Sequence, residues 1–164
     1  MDSDRIEKKI VLKAPLERVW RAIGDSARFG TWFGAEIDGP FVAGKVAVGR
    51  IAPTEVDAEV ARMQEPYRGL RWQVVVERIE PMTLFSFRWH PGAVDPKHDY
   101  SNEPMTLVTF ELAEVEGGTS LTITESGFDQ IPLDRRIAAI KGNDAGWAHQ
   151  TRLIGKYLAL DDQG

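Results

Sequence analysis

In some segments of the chain an apolar residue recurs at every second position, and in others at every third or fourth. These two spacings predict strands and helices, respectively. Residues 5–15 alternate apolar and polar positions, which predicts a first strand ending at Pro15. Residues 15–23 then show helical spacing, with the proline at the first helical position. A second short helix is expected from the capping residue Asp25 through Trp32. The chain therefore begins with one strand and two short helices.

Alternation returns in the middle of the chain and predicts several antiparallel strands. They lie in the segments KVAVGRI, RWQVVVERIEP, TLFSFRWHP, PMTLVTFELAEVE and TSLTITESGF. The last two flank Gly117-Gly118, a pair that supplies the positive φ angles of a tight hairpin. Earlier, TEVDAEVARMQ has helical spacing behind Thr54 as a cap. From Ile131 the spacing predicts one long helix, whose apolar face carries Ile137, Ile140, Trp147, Thr151, Ile154 and Leu158.

This order of elements defines an α+β fold with a curved antiparallel sheet of about six strands. A sheet and one long amphipathic helix bury their apolar surface by packing the helix stripe against one sheet face. A strongly twisted sheet can curl around that helix. Where the two do not pack flush, the gap becomes an aromatic-lined cavity, which is a common form of small-molecule site.

Composition narrows the class of protein. At 164 residues the chain has room for one domain of ordinary size, expected over 1–164. A net charge of −5 without a cluster of basic residues argues against nucleic-acid binding. The absence of cysteine excludes disulfides and thiol catalysis. No apolar run reaches the ~20 residues of a membrane span, and no signal peptide is evident, so a cytoplasmic location is expected.

Four segments together resemble a known family. They are IVLKAPLERVWRAIGDSARFGTWFG, VERIEP with LFSFRW, LVTFELAEVEGGTSLTITESGF, and GWAHQTRLIGKYL. In this order they resemble the family of activator of heat-shock-protein-90 ATPase homologues, within the START-like, birch-pollen-allergen-like (SRPBCC) superfamily. The resemblance implies a helix-grip fold, in which the sheet wraps around the C-terminal helix and encloses an apolar cavity. It also implies a ligand-binding role or, through the family name, chaperone contact and a stress response.

Two glycines one turn apart interrupt the long helix. Each glycine inside a helix costs roughly 1 kcal/mol relative to alanine, so Gly142 and Gly146 need a structural reason. The first interpretation is a continuous helix in which both glycines face the cavity or a closely approaching strand. The alternative is a break, with Gly142 as a C-terminal cap and Asn143 or Asp144 capping a new helix. The constant spacing from Ile140 onward favours the continuous helix.

Aromatic side chains are the candidate lining of the cavity, although plain core packing is the alternative for each of them. Trp89 and Trp147 are the strongest candidates, because the helix-grip fold directs both toward the gap between helix and sheet. The predicted ligand-binding residues are Trp32, Trp72, Phe85, Phe87, Trp89, Phe110, Phe128, Gly146, Trp147 and Ile154.

A metal site receives little support. His90 and His98 flank a loop that also holds Asp95, Asp99 and Glu103, but the spacing matches no recurring ligand pattern. A solvated polar loop is favoured, with a lid over the cavity mouth as the functional alternative. No metal and no cofactor are therefore expected, and the chain has no nucleotide-binding glycine motif.

Catalytic residues are not evident either. His149 could act as a base only if it lined the cavity, and Ser126 lacks the surroundings of a nucleophile. Arg88 and Glu125, expected on neighbouring strands, could orient a ligand if either pointed inward, because a buried charge needs a partner. The alternation of side chains along the strand places Arg88 on the sheet face opposite to that of Phe87. A solvent-facing pair contributing under about 1 kcal/mol is favoured.

Three functions remain, in order of preference. The first is binding of an apolar or amphipathic small molecule between the sheet and the long helix. The second is a chaperone-associated interaction module, which requires a large exposed apolar patch. The third is a cyclase or hydrolase acting in the same cavity, which requires a polar cluster there. An exposed strand edge would also make a homodimer unsurprising.

Overall fold

Seven strands and four helices make up the fold in the computed structural model, which describes residues 5–91 and 97–160. The strands are β1 (Arg5–Leu12), β2 (Ala35–Ile37), β3 (Val46–Ile51), β4 (Arg71–Glu80), β5 (Leu84–Trp89), β6 (Thr106–Val115) and β7 (Gly118–Ser126). The helices are α1 (Leu16–Gly24), α2 (Ser26–Phe33), α3 (Ala58–Gln64) and α4 (Leu133–Leu160). Short 3₁₀ turns at Glu65–Tyr67 and Phe128–Gln130 precede β4 and α4. No helix within the described ranges is both long and apolar enough to cross a membrane.

All seven strands form one antiparallel sheet in the order β1-β7-β6-β5-β4-β3-β2. The predicted α+β helix-grip architecture is confirmed, with one strand more than the six expected. The additional strand, β2, has only three residues, which is too short to show an alternating pattern. The hairpin between β6 and β7 forms as predicted, with Val115 opposite Gly118 and with Gly117 at a φ of 87°.

The two short helices after β1 are confirmed, with one difference at their start. Pro15 precedes the first helical residue of α1 instead of occupying it. Asp25 caps α2 as predicted, because its carboxylate accepts from the backbone N–H of Ala27 at 3.0 Å. The indole of Trp32 is fully buried and donates to the Ala22 carbonyl at 2.8 Å, which ties α2 to α1.

The cap of α3 differs from the prediction. Asp57, and not Thr54, is the N-cap, since its carboxylate accepts from the Val60 N–H at 3.0 Å. The same carboxylate pairs with Lys156 on α4. The hydrogen bond from Lys156, helped by the one from Val60, lowers the pKa of Asp57 to about 2. The acidic cap thus also connects α3 to the long helix.

Helix α4 is continuous over 28 residues and passes through both glycines, so the favoured continuous helix is confirmed and the alternative, a break at Gly142, does not occur. Its buried side chains are Ala139, Trp147, Leu153, Ile154 and Leu158. The prediction that Ile137 lies on the buried face is wrong, because this side chain is 66% exposed. Gly142 is also exposed, and a Cβ there would meet no other atom within 4 Å.

The hydrophobic core lies between one face of the sheet and the helices α1, α2 and α4. Alternate residues of the strands supply it, among them Val74, Phe85, Phe87 and Phe110. Helix α4 packs against β1 at one edge of the sheet and against α1 and α2. Space therefore remains on the other side of α4, toward the ends of β3, β4 and β5.

We expect opposite effects from alanine at two glycines. At Gly49, a Cβ would lie 2.1 Å from the Glu36 carbonyl oxygen, so G49A must open the β2–β3 pair and should lower the free energy of unfolding by about 1–3 kcal/mol. At Gly142, a Cβ meets nothing, so G142A should raise it by up to about 1 kcal/mol. Urea unfolding followed by circular dichroism measures both changes. A G49A variant as stable as the unmodified protein would contradict this packing.

Candidate functional site

A cavity of about 640 Å³ lies where α4, the ends of β3, β4 and β5, and residues 97–105 surround an unfilled space. Five aromatic side chains form part of its wall: Phe33, Tyr67, Trp72, Trp89 and Tyr100. Many of the other lining residues are polar or charged: Gln64, Arg71, Gln73, His90, His98, Asp99, Ser101, Asn143 and Gln150. The volume falls in the range of small-molecule sites, although the wall is more polar than the sequence predicted.

The ten predicted ligand-binding residues divide into three groups around this cavity. Trp72 and Trp89 line it directly. Gly146 lies on the helix face that borders it. The other seven are buried in the core and are not among its lining residues: Trp32, Phe85, Phe87, Phe110, Phe128, Trp147 and Ile154. Contact of these seven with a ligand stays a prediction.

Gly146 is not itself a lining residue of the cavity, but it lies next to two residues of α4 that are. It lies three residues after Asn143 and four before Gln150, so the three residues share one face of α4. Both neighbours line the cavity. A Cβ built on Gly146 would meet no other atom within 4 Å, so open space lies in front of it. The glycine thus keeps this stretch of the helix surface flat beside the cavity.

A fully buried carboxylate, that of Glu125 on β7, lies behind the cavity wall. The side chain is 0% exposed and both oxygens are hydrogen-bonded. Oε2 accepts from the Trp89 indole at 2.9 Å and from the Thr106 hydroxyl at 2.6 Å. Oε1 accepts from the Trp147 indole at 2.8 Å, and the Asn143 amide donates to both oxygens, at 2.9 and 3.0 Å. We call these five residues the Glu125 cluster.

The cluster matches the hydrogen-bonding capacity of an ionised carboxylate. Indole and amide N–H groups can only donate, and a carboxylate can only accept. The two indoles also pack together, with the rings of Trp89 and Trp147 5.7 Å apart between centroids. Because Trp89 and Asn143 line the cavity, the carboxylate lies one side chain behind the cavity surface.

The favoured sequence interpretation of Glu125 is therefore wrong, and that of Arg88 is right. Arg88 is exposed and pairs with Glu77 at 3.2 Å. The two strands are not neighbours either, because β6 separates β5 from β7. The sequence did contain the signal, since Leu121, Ile123 and Glu125 alternate on one face of β7, and the first two are buried.

The segment after residue 96 is docked against the start of α4. Arg135 donates two hydrogen bonds to Glu103, the shorter at 2.6 Å, and its guanidinium lies 4.9 Å from the centre of the Tyr100 ring. His98 Nε2 lies 2.8 Å from the other oxygen of Glu103. Burial alone would raise the pKa of Glu103, but the hydrogen bonds from His98 and Arg135 outweigh it and lower that pKa. These contacts hold one wall of the cavity in place.

Three polar atoms of cavity-lining residues are buried without a hydrogen-bond partner. They are Trp72 Nε1, His90 Nδ1 and Gln150 Oε1. Burial lowers the pKa of His90, which favours its neutral form. Buried polar atoms without partners are rare in folded proteins and mark places where a ligand or water can bind.

The described residues hold no assembled group of metal-ligating side chains. No three histidines or carboxylates of residues 5–91 and 97–160 come close enough to hold a metal ion. Asp95, one of the residues considered for such a site, lies outside the described residues. His149 contacts Arg152 and is not among the lining residues of the cavity.

Several lining residues escaped the sequence analysis. Asn143 and Gln150 interrupt the otherwise apolar face of α4, and this interruption was the available signal. Tyr67 and Tyr100 lie outside the helices and strands that the periodicity predicts, and only the folded chain brings them together.

The sheet that holds a long C-terminal helix places the chain in the helix-grip class. The family model described as Activator of Hsp90 ATPase homolog 1-like protein matches residues 13–159. The chain belongs to this family, which confirms the resemblance seen in its sequence. A search of curated proteins returned no match.

Solved structures with the same fold extend this comparison. The chain is similar to DynU16, a protein of the dynemicin biosynthetic locus, with a TM-score of 0.67 and 21% identity. That match covers 95% of this chain and 47% of DynU16, so the chain spans about half the length of that protein. It is similar to MLL2253 of Mesorhizobium loti over 94% and 96% of the two chains (TM-score 0.68, 22% identity).

A third similar structure is a dimer in solution, the Aha1 dimer of Colwellia psychrerythraea. Its match covers 94% of this chain and 95% of that one, with a TM-score of 0.63 and 18% identity. At such identities the three structures establish the fold of this chain, and no activity is transferred from them.

We predict that E125Q destabilises the protein by about 2–4 kcal/mol, because the new amide would turn its N–H₂ group toward donors and leave at least one of them without an acceptor. The matched control is E111Q, which removes a charge at an exposed position of the neighbouring strand and should change stability by less than about 0.5 kcal/mol. Urea unfolding followed by tryptophan fluorescence compares the two. Equal, small effects would show that the Glu125 cluster contributes nothing specific.

Proposed function

We propose that this protein binds an apolar or amphipathic small molecule in the cavity between the sheet and α4. The observation that carries the proposal is the 640 Å³ cavity, whose wall combines five aromatic side chains with residues that hold unpartnered polar atoms. Affinity would come mainly from burial of apolar ligand surface, at roughly 25 cal/mol per Å² before the costs of association. The polar groups would orient the ligand.

A chaperone-associated interaction role is the second candidate, and the description of the family supports it. Such a role requires an exposed apolar surface. Leu133 and Ile137, one turn apart at the start of α4, are 76% and 66% exposed and are the place to look for a contact. The cavity gives the small-molecule role the stronger support, because an interaction module has no need of one.

Native mass spectrometry of gently purified protein tests the proposed function directly. We expect a complex heavier than the bare chain by the mass of one small molecule, which denaturation releases for identification. The proposal would be contradicted if the protein carried no ligand after purification from its own source and also bound none of a panel of fatty acids and aromatic compounds. The interaction role would then be tested next.

The cavity also predicts a difference between two leucine substitutions on α4. G146L should weaken binding of a fluorescent probe such as 1-anilinonaphthalene by about tenfold or more, because the new side chain would occupy the open space in front of Gly146. The control is G142L, the same change one turn away at an exposed position, which should leave probe binding unchanged. Thermal unfolding checks that both variants stay folded.

Equal probe affinity for G146L and the unmodified protein would place the probe elsewhere. Loss of folding in G146L, without a change in binding by the folded fraction, would assign the glycine a role in packing alone.

A further inference from the structure

The Glu125 carboxylate is buried without a cationic partner. Its hydrogen bonds come from Trp89, Thr106, Asn143 and Trp147, all of which are neutral. No lysine, arginine or histidine of residues 5–91 and 97–160 pairs with it. Neutral donors stabilise the carboxylate but do not cancel its charge, so its negative potential extends into the surroundings.

The cavity lies next to the Glu125 carboxylate, within reach of its negative potential. Trp89 and Asn143 are at once donors to Glu125 and parts of the cavity wall. A cavity enclosed by protein screens a nearby charge less than open water does. A charged group of a ligand resting against either residue would therefore experience the field of the carboxylate.

The other charges around the cavity largely offset one another. Arg71 and Asp99, which line it, carry opposite charges and are exposed to solvent. Arg135 and Glu103 pair with each other, with His98 on the same carboxylate. His90 is buried in a way that favours its neutral form. Among the described residues around the cavity, Glu125 is a buried charge without an opposite charge beside it.

The aromatic wall favours the same sign of ligand charge. Aromatic rings carry the negative side of their quadrupole on their faces, which attracts a cation placed over them, as the Tyr100 ring does with the Arg135 guanidinium at 4.9 Å. Tyr67, Trp72 and Trp89 add further rings to the cavity wall. One of the unpartnered atoms, Gln150 Oε1, can accept but cannot donate a hydrogen bond, and Nδ1 of neutral His90 accepts when the ring proton is on Nε2. Trp72 Nε1 is a donor and is the exception.

We propose that the cavity selects an organic cation, an ammonium group attached to an apolar body, over neutral or anionic ligands of the same shape. Glu125 supplies the attraction from behind the wall, and the aromatic faces contact the cationic group. This inference rests on the proposed function, because it names the charge of the ligand that the cavity takes.

A set of three probes with the same naphthalene body tests the selection. They are 2-naphthylmethyltrimethylammonium, 2-naphthylmethanol and 2-naphthoate, titrated into the full chain by isothermal calorimetry at neutral pH. We expect the cation to bind about tenfold tighter than the alcohol, and the anion to bind more weakly than the alcohol. Equal affinities, or tightest binding of the anion, would overturn the inference.

Two isosteric variants then locate the source of the selection. E125Q should lose the preference for the cation while its folded fraction still binds the alcohol. E111Q removes an exposed carboxylate that lies outside the cavity wall and should keep the preference. Loss of the preference in E111Q, or its persistence in the folded fraction of E125Q, would overturn the role of Glu125.

The outcomes separate this inference from the function on which it rests. If the alcohol binds as tightly as the cation, the selection fails and small-molecule binding stands. If none of the three probes binds and the purified protein is empty, both fail together. Should E125Q not fold, the three affinities of the unmodified protein still decide whether a cation is preferred.

Discussion

The need of one buried carboxylate for hydrogen-bond donors determines how the long helix meets the sheet. Glu125 lies on β7, and its donors lie at the end of β5, at the start of β6 and on α4. Displacement of any of these elements would leave a charged oxygen or an indole N–H without a partner in the interior, at a cost of about 1–3 kcal/mol for each group. The Glu125 cluster thus ties the middle of α4 to the adjoining ends of β5, β6 and β7.

The cavity follows from where α4 is held and where it is not. Beyond the cluster, the helix is tied to α2 by Gln150, whose amide donates to the Phe33 carbonyl at 3.0 Å, and to the α3 cap by Lys156. Past the contact of Asn143 with Glu125, the helix side that carries Gly146 and Gln150 borders the cavity. The sheet ends and the segment around Tyr100 close around that face without filling it.

The sequence predicts the fold in detail because each long element repeats a simple period. Alternation finds the six longer strands, and a constant helical face shows that α4 continues through its glycines. The shortest strand, β2, has too few residues for any period to show. The cap at Asp57 was missed because Thr54 also offers a capping oxygen, and the choice between them depends on the exact first turn.

The site is less predictable, because it depends on which residues share a place in three dimensions. Trp72 and Trp89 were chosen as aromatic residues on strands, and both lie in the cavity wall. Tyr67 and Tyr100 are separated by 33 positions and belong to no predicted element, so no period links them. Glu125 follows the alternation of β7 but contradicts the expectation that charges face water, and the pattern alone cannot decide between the two.

The fold by itself does not require a charge at position 125. An apolar side chain of similar size would pack between the two indoles, and replacement of buried charged groups by apolar ones is often neutral or stabilising. Such a residue would leave the N–H groups of Trp89, Trp147 and Asn143 without an acceptor, so these residues would have to change with it. The chain therefore carries a coordinated set of five polar residues where a simpler apolar set would suffice. Since two of the five also form the cavity wall, the proposed binding in the cavity would account for this polar set where stability does not.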